Sequence, residues 1–153
     1  VQPGVTIARE SFGGWDTTLR LGNRAMEVRV VADVGPRIVE LRTPGGPSLF
    51  HVRTAELGGR GESTWRMRGG WRLWVAPERR GTTYALDNAP CAVSAATGGT
   101  VRVVGPMQPA AGIRKTIALT VAPEAPHVSV RSTVTNVGDA PLAYALWTLA
   151  ALR

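Results

Sequence analysis

Cysteine occurs once in this chain, at Cys91, and lysine once, at Lys115. A single thiol excludes an intrachain disulfide framework and a thiolate cage for a metal. Histidine is almost as scarce: His51 and His127 stand far apart, each without a ligand-spaced neighbour. Zinc needs three or four N, S or O ligands within reach. Neither a protein-held metal nor a cofactor is expected. Long apolar runs are missing too. The longest, 142–152, is broken by Tyr144 and Thr148, well short of the ~20 residues a helix needs to cross a bilayer, so no membrane partner is expected. The chain begins without methionine and without a basic–apolar–small leader pattern. An exported protein freed of its leader and a cut piece both look like this, which leaves the compartment open between cytoplasmic and exported.

Because lysine is nearly absent, the formal charge of +7 is carried by arginine. Nucleic-acid binders normally share phosphate contacts between the two residue types, and Arg20, Arg29, Arg42, Arg102 and Arg131 sit singly in alternating segments. Only the segment 60–80 approaches a basic stripe of the kind that marks polyanion binding. Nucleic acid is therefore the weaker expectation.

What the chain does have is punctuation, with 18 glycines and 11 prolines separating short runs rich in Val, Ile, Leu and Thr. In 25–31, Met26, Val28 and Val30 alternate with Glu27 and Arg29, the period of a half-buried strand. With 15–21 before it and Gly22-Asn23 between, the pair reads as a hairpin. Alternation returns in 37–42 after the break at Asp33-Val34-Gly35-Pro36, and 48–52 reads as a further short strand. The glycine-rich stretch 53–61 reads as a loop, and long loops in compact domains tend to be functional or mobile. Further strands are expected at 92–96, which turns at Gly98-Gly99 into 101–104, at 113–121 paired with 127–136, and at 142–149. No amphipathic helix of ten residues is convincing. The expectation is one all-β domain over 1–153, an antiparallel β-sandwich of about nine to eleven strands. Its apolar end, from Ala145 to Arg153, lacks a turn or polar tail, so a truncated chain is expected, with the rest of a larger sandwich or an oligomer partner covering the terminal strand.

The densest chemistry lies in 66–78, where Trp71 and Trp74, with Trp65 just before, are interleaved with Arg66, Arg68, Arg72 and Glu78. Indoles want a partner for the N–H when buried, and guanidinium forks stack on ring faces. The mixture points to binding in a concave polar site. The plainer alternative is a core strand with Leu73 and Val75 inward and snorkelling arginines.

The order Gly35-Pro36-Arg37-Ile38-Val39-Glu40-Leu41, then Gly69-Gly70-Trp71-Arg72-Leu73-Trp74-Val75-Ala76-Pro77-Glu78, then Tyr84-Ala85-Leu86-Asp87-Asn88, then 128–136 and Ala145-Leu146-Trp147 resembles the galactose-mutarotase-like superfamily, in a bacterial branch related to the aldose 1-epimerases. The resemblance implies the amino-terminal part of a large antiparallel supersandwich with a sugar groove on one face. Members run to roughly twice this length. Their catalytic glutamate lies beyond Arg153, and in this branch histidine often stands where Trp71 stands here, so no catalytic residue is assigned. Arg37 falls near the site arginine of the epimerases. Sugars present apolar C–H faces and a rim of hydroxyls. Trp71 and Trp74 are the expected face contacts, and Arg37, Arg72, Glu78, Asp87 and Asn88 the expected rim.

His51 and His127 are the available general acids for mutarotation, although each fits a structural histidine better. Glu78 and Asp87, nine residues apart across a turn, form a candidate carboxylate pair, and Asp87-Asn88 equally fits a turn cap. No Gly-x-Ser-x-Gly elbow is present and no glycine run leads into Lys-Ser/Thr, which argues against triad hydrolysis and phosphate cradling. The leading expectation is carbohydrate binding, at most with epimerase-type isomerase activity. Its rivals are polyanion binding through 60–80 and a structural sandwich without a small ligand.

Overall fold

The computed structural model describes residues 4–95 and 99–153. Among these residues ten strands form two antiparallel sheets. One sheet has the order β1 (Thr6–Phe12), β2 (Trp15–Gly22), β3 (Glu27–Val31), β4 (Arg37–Arg42), β5 (Trp71–Ala76) and β10 (Ala145–Ala150). The other has the order β6 (Ala92–Ala95), β7 (Thr100–Gln108), β8 (Ile113–Val121) and β9 (Val128–Asn136). The only helical pieces among the described residues are two short 3-10 turns, Thr54–Glu56 and Pro109–Ala111. The fold is an all-β antiparallel sandwich.

Period two decides which side chains the sheets share. Leu21, Val28, Val30 and Ile38 meet Val101, Val103, Ile117, Leu119 and Val121 in one cluster between the layers. Each fully buried aliphatic side chain there contributes about 1.5–3 kcal/mol. The β2–β3 hairpin forms as the alternation requires, with Leu21 opposite Val28 and Leu19 opposite Val30. In its turn the Asn23 side-chain carbonyl accepts from the backbone N–H groups of Ala25 and Met26, a local bond that fixes the reversal. The β8–β9 pairing runs from Ile113 opposite Asn136 to Val121 opposite Val128. The β6–β7 pair forms as well, while Ala96 and Gly98 of its expected strand end and turn lie outside the described residues.

One local expectation fails, and one strand was not foreseen. Residues 48–52 do not form a strand and make only single bridges, Phe50 with Leu152 and Val52 with Gly69. Conversely, β1 forms where its sequence shows no clear alternation. None of its seven residues is buried, so no apolar face had to be written into it.

The far face of the larger sheet carries polar and aromatic side chains and is crossed by residues 53–70. Leu57 packs there on Trp15, Val31, Val34 and Val39, and the Trp15 indole N–H donates to the Gly59 carbonyl at 2.9 Å. At the end of this sheet lies β10, where Leu146 is 52% exposed.

Candidate functional site

Arg37 on β4 and Arg72 on β5 are cross-strand partners, so their side chains leave the sheet on the same face. Asp87 comes between them from the segment after the 79–84 turn. Its Oδ2 accepts from Arg37 Nη2 at 3.2 Å and from Arg72 Nη2 at 2.7 Å. All three are buried. Burial by itself would raise the Asp87 carboxyl, but Arg72, Arg37, Lys115 and Arg68 outweigh it and hold it below the ordinary aspartate value. Burial pushes Arg37 down to about 9, helped by Arg72 and opposed by Asp87. It pushes Lys115 down to about 8 in the same way, against the pull of Asp87. One carboxylate thus faces several buried cations.

The free ends of these guanidinium groups hold the crossing loop. Arg37 Nη1 donates to the carbonyls of Met67 and Gly69 at 2.7 and 3.0 Å. Arg72 Nη1 reaches the Arg66 carbonyl at 3.3 Å. Asn88 donates through its amide to the carbonyls of Glu62 and Thr64, both at 2.8 Å. Arg68, fully buried with φ +57°, ties Glu62 at 2.6 Å and Asn88 at 3.1 Å. Gly69 and Gly70 carry the loop onto β5 with φ of +83° and +72°. A Cβ at Gly70 would run into the Ile38 carbonyl, and one at Gly69 into that of His51.

The loop so held lays Trp65 over β5. The Arg72 guanidinium lies 4.9 Å from the Trp65 ring and 5.2 Å from the Trp74 ring, close enough for cation–π attraction. Trp74 also meets Trp65 at 6.0 Å, Tyr84 at 5.1 Å and Trp147, its cross-strand partner on β10, at 5.2 Å. Trp65 and Tyr84 meet edge to face at 5.2 Å.

An open cleft of about 710 Å³ lies beside this stack, lined by Trp65, Glu78, Arg79, Arg80 and Tyr84, within the size range of small-molecule sites. The Tyr84 hydroxyl donates to Glu78, and that bond holds the phenol above its ordinary value. On the other side of Trp65 a slot of about 170 Å³ runs between Gly69-Gly70, Arg72, Trp74 and residues 149–151.

The expected site residues divide among these places. Glu78 is on the cleft; Arg72 and Trp74 line the slot. Arg37 and Asn88 lie beneath the loop and donate to its carbonyls, and Asp87 accepts from Arg37 and Arg72. Trp71 is on the opposite face of β5 and packs against the core between the sheets. His51 lies in a separate hollow with Val52, Arg53, Thr54, Ala55 and Arg153, and His127 is exposed. Of the candidate carboxylate pair, Asp87 accepts from Arg37 and Arg72, and Glu78 from the Tyr84 hydroxyl. Burial pushes the Cys91 thiol up to about 12.

Sequence reading left out Trp65, Arg79, Arg80 and Tyr84 as site residues. Parity along β5 was an available signal for part of this, because it groups Arg72 with Trp74 and sets Trp71 with Leu73 and Val75. Nor do the six arginines of 60–80 form one stripe. Arg60 pairs with Asp16 at 2.9 Å, Arg68 with Glu62 and Arg72 with Asp87. Among the described residues no group of three or more His, Cys, Asp or Glu side chains is arranged to hold a metal. Comparison with protein-family models, curated proteins and solved structures finds no match to this chain.

Proposed function

We propose that this protein binds carbohydrate in the cleft walled by Trp65 and Tyr84, as a sandwich of the galactose-mutarotase-like kind. The observation that carries the reading is the pairing of an aromatic wall with a polar rim. Trp65 and Tyr84 offer ring surface to a cleft of about 710 Å³, and Glu78, Arg79 and Arg80 supply acceptors and donors at its edge. A pyranose has the complementary surfaces: C–H groups for the rings and hydroxyls for the rim. The wall is preorganised. Trp65 is fixed from behind by Arg72, and Arg72 by Asp87, so little ordering has to accompany binding.

The test is a calorimetric titration with neutral mono- and oligosaccharides, in the unaltered protein and in Trp65→Ala. Saturable binding that weakens at least about tenfold in Trp65→Ala is expected, the usual scale for removing an aromatic anchor. No heat with any sugar, or an affinity indifferent to Trp65, contradicts the proposal.

A further inference from the structure

The cleft has a charge preference built into its rim. We infer that its ligand is an anionic sugar, a pyranose bearing a carboxylate or a phosphate or sulfate ester, whose charge is taken by Arg79 and Arg80. The inference rests on the carbohydrate reading above and narrows it.

Three observations carry it. First, the ion pairs among the described residues engage Arg20, Arg29, Arg37, Arg42, Arg53, Arg60, Arg68 and Arg72, and none engages Arg79 or Arg80. Both line the cleft. The acid that lines the cleft with them, Glu78, accepts from the Tyr84 hydroxyl. Two cations against one carboxylate leave the rim net positive.

Second, the two arginines sit on a fixed turn. Thr83 is fully buried. Its hydroxyl accepts from the Arg79 backbone N–H at 2.9 Å and donates to the Val75 carbonyl at 3.0 Å. The Arg79 carbonyl accepts in turn from the N–H groups of Thr82 and Thr83. The turn is thereby pinned to the end of β5, which also carries Trp74, so the backbone that bears the two arginines is held beside the aromatic wall before a ligand arrives.

Third, the chemistry matches. A guanidinium fork meets carboxylate or phosphate oxygens with paired, charge-assisted hydrogen bonds. Because the rings take the sugar face, the anionic group is drawn to one edge of the pyranose, where a substituent on its exocyclic carbon would lie.

The experiment is calorimetry on the full chain with galactose, galacturonate and galactose 6-phosphate, repeated with Arg79→Gln/Arg80→Gln and over a range of NaCl. At least one acidic sugar is expected to bind about tenfold or more tighter than galactose, the scale of one charge-assisted contact. That ratio is expected to fall towards one in the double variant. The galacturonate and galactose 6-phosphate arms identify which anionic group is held. If the double variant does not fold, salt provides the second readout in the unaltered protein: NaCl should weaken the acidic sugar more than galactose. Galactose binding with no advantage to either acidic sugar, or an advantage that survives the double substitution, overturns the inference and leaves the carbohydrate reading standing. No binding of any of the three sugars overturns the inference, and the carbohydrate reading is then decided by the neutral mono- and oligosaccharide series above.

Discussion

Asp87 is the residue on which the site's support depends. Arg37 and Arg72 both donate to its Oδ2, and both guanidinium groups are buried. Asp87→Asn leaves those cations buried without a counter-charge, and breaking a buried pair in this way typically costs about 3–5 kcal/mol. Urea denaturation should show a loss on that scale. The same carboxylate makes stability depend on acid. Its folded value is depressed, so its contribution is complete above the unfolded aspartate value of about 3.9 and is lost as pH falls through the lower folded value. Denaturation midpoints should therefore decline below about pH 4, and decline less steeply in Asp87→Asn. An unchanged acid limb in the variant would remove Asp87 from this role.

Two glycines and a parity rule govern how the elements deliver the site. Gly70 has φ +72°, and a Cβ there would overlap the Ile38 carbonyl. Gly70→Ala is expected to lower stability by more than ~1 kcal/mol, since alanine cannot take this conformation without strain. Gly81→Ala, where an added Cβ meets nothing within 4 Å, should stay within about 0.5 kcal/mol of the parent; both are read by thermal melting. Parity explains how much of this was legible beforehand. The strands β2, β3, β8 and β9 could be read because alternating residues and turn-forming Asn, Gly and Pro state face and boundary locally. The same alternation in β5 separates Trp71 from Trp74. The path of residues 53–70 back across the sheet was not legible. It is set by contacts from distant segments, such as Arg37 to Met67 and Asn88 to Thr64, and no local pattern encodes them. Trp65 was missed for that reason: it lies outside any strand and reaches the cleft only because the loop is held down. Arg37, Asp87 and Asn88 were legible as special polar residues, yet their sequence does not say whether a polar group meets a ligand or a carbonyl of its own chain.

At the scale of the molecule the two faces of the larger sheet do different jobs. Its inner face makes the hydrophobic core with the smaller sheet, and its outer face carries the arginine–aspartate support and the aromatic wall. Trp71 and Trp65 separate these jobs within one short segment. Trp71→Ala removes a large ring packed on the core and should cost about 3 kcal/mol of stability; under the proposed carbohydrate reading, Trp65→Ala is expected to act chiefly on ligand affinity. A denaturation series run beside a sugar titration distinguishes the two, and equal stability losses would mean that Trp65 is a core residue.

The most direct measurement follows the indole N–H resonances of the five tryptophans during titration with a sugar that binds. Trp65 lines the cleft, while the Trp15 N–H is bonded to the Gly59 carbonyl and Trp71 packs on the core. A saturable shift at Trp65, with Trp15 and Trp71 unmoved, is the predicted result. A silent Trp65, or shifts that track Trp15 and Trp71 instead, would contradict the assignment of the cleft as a carbohydrate site.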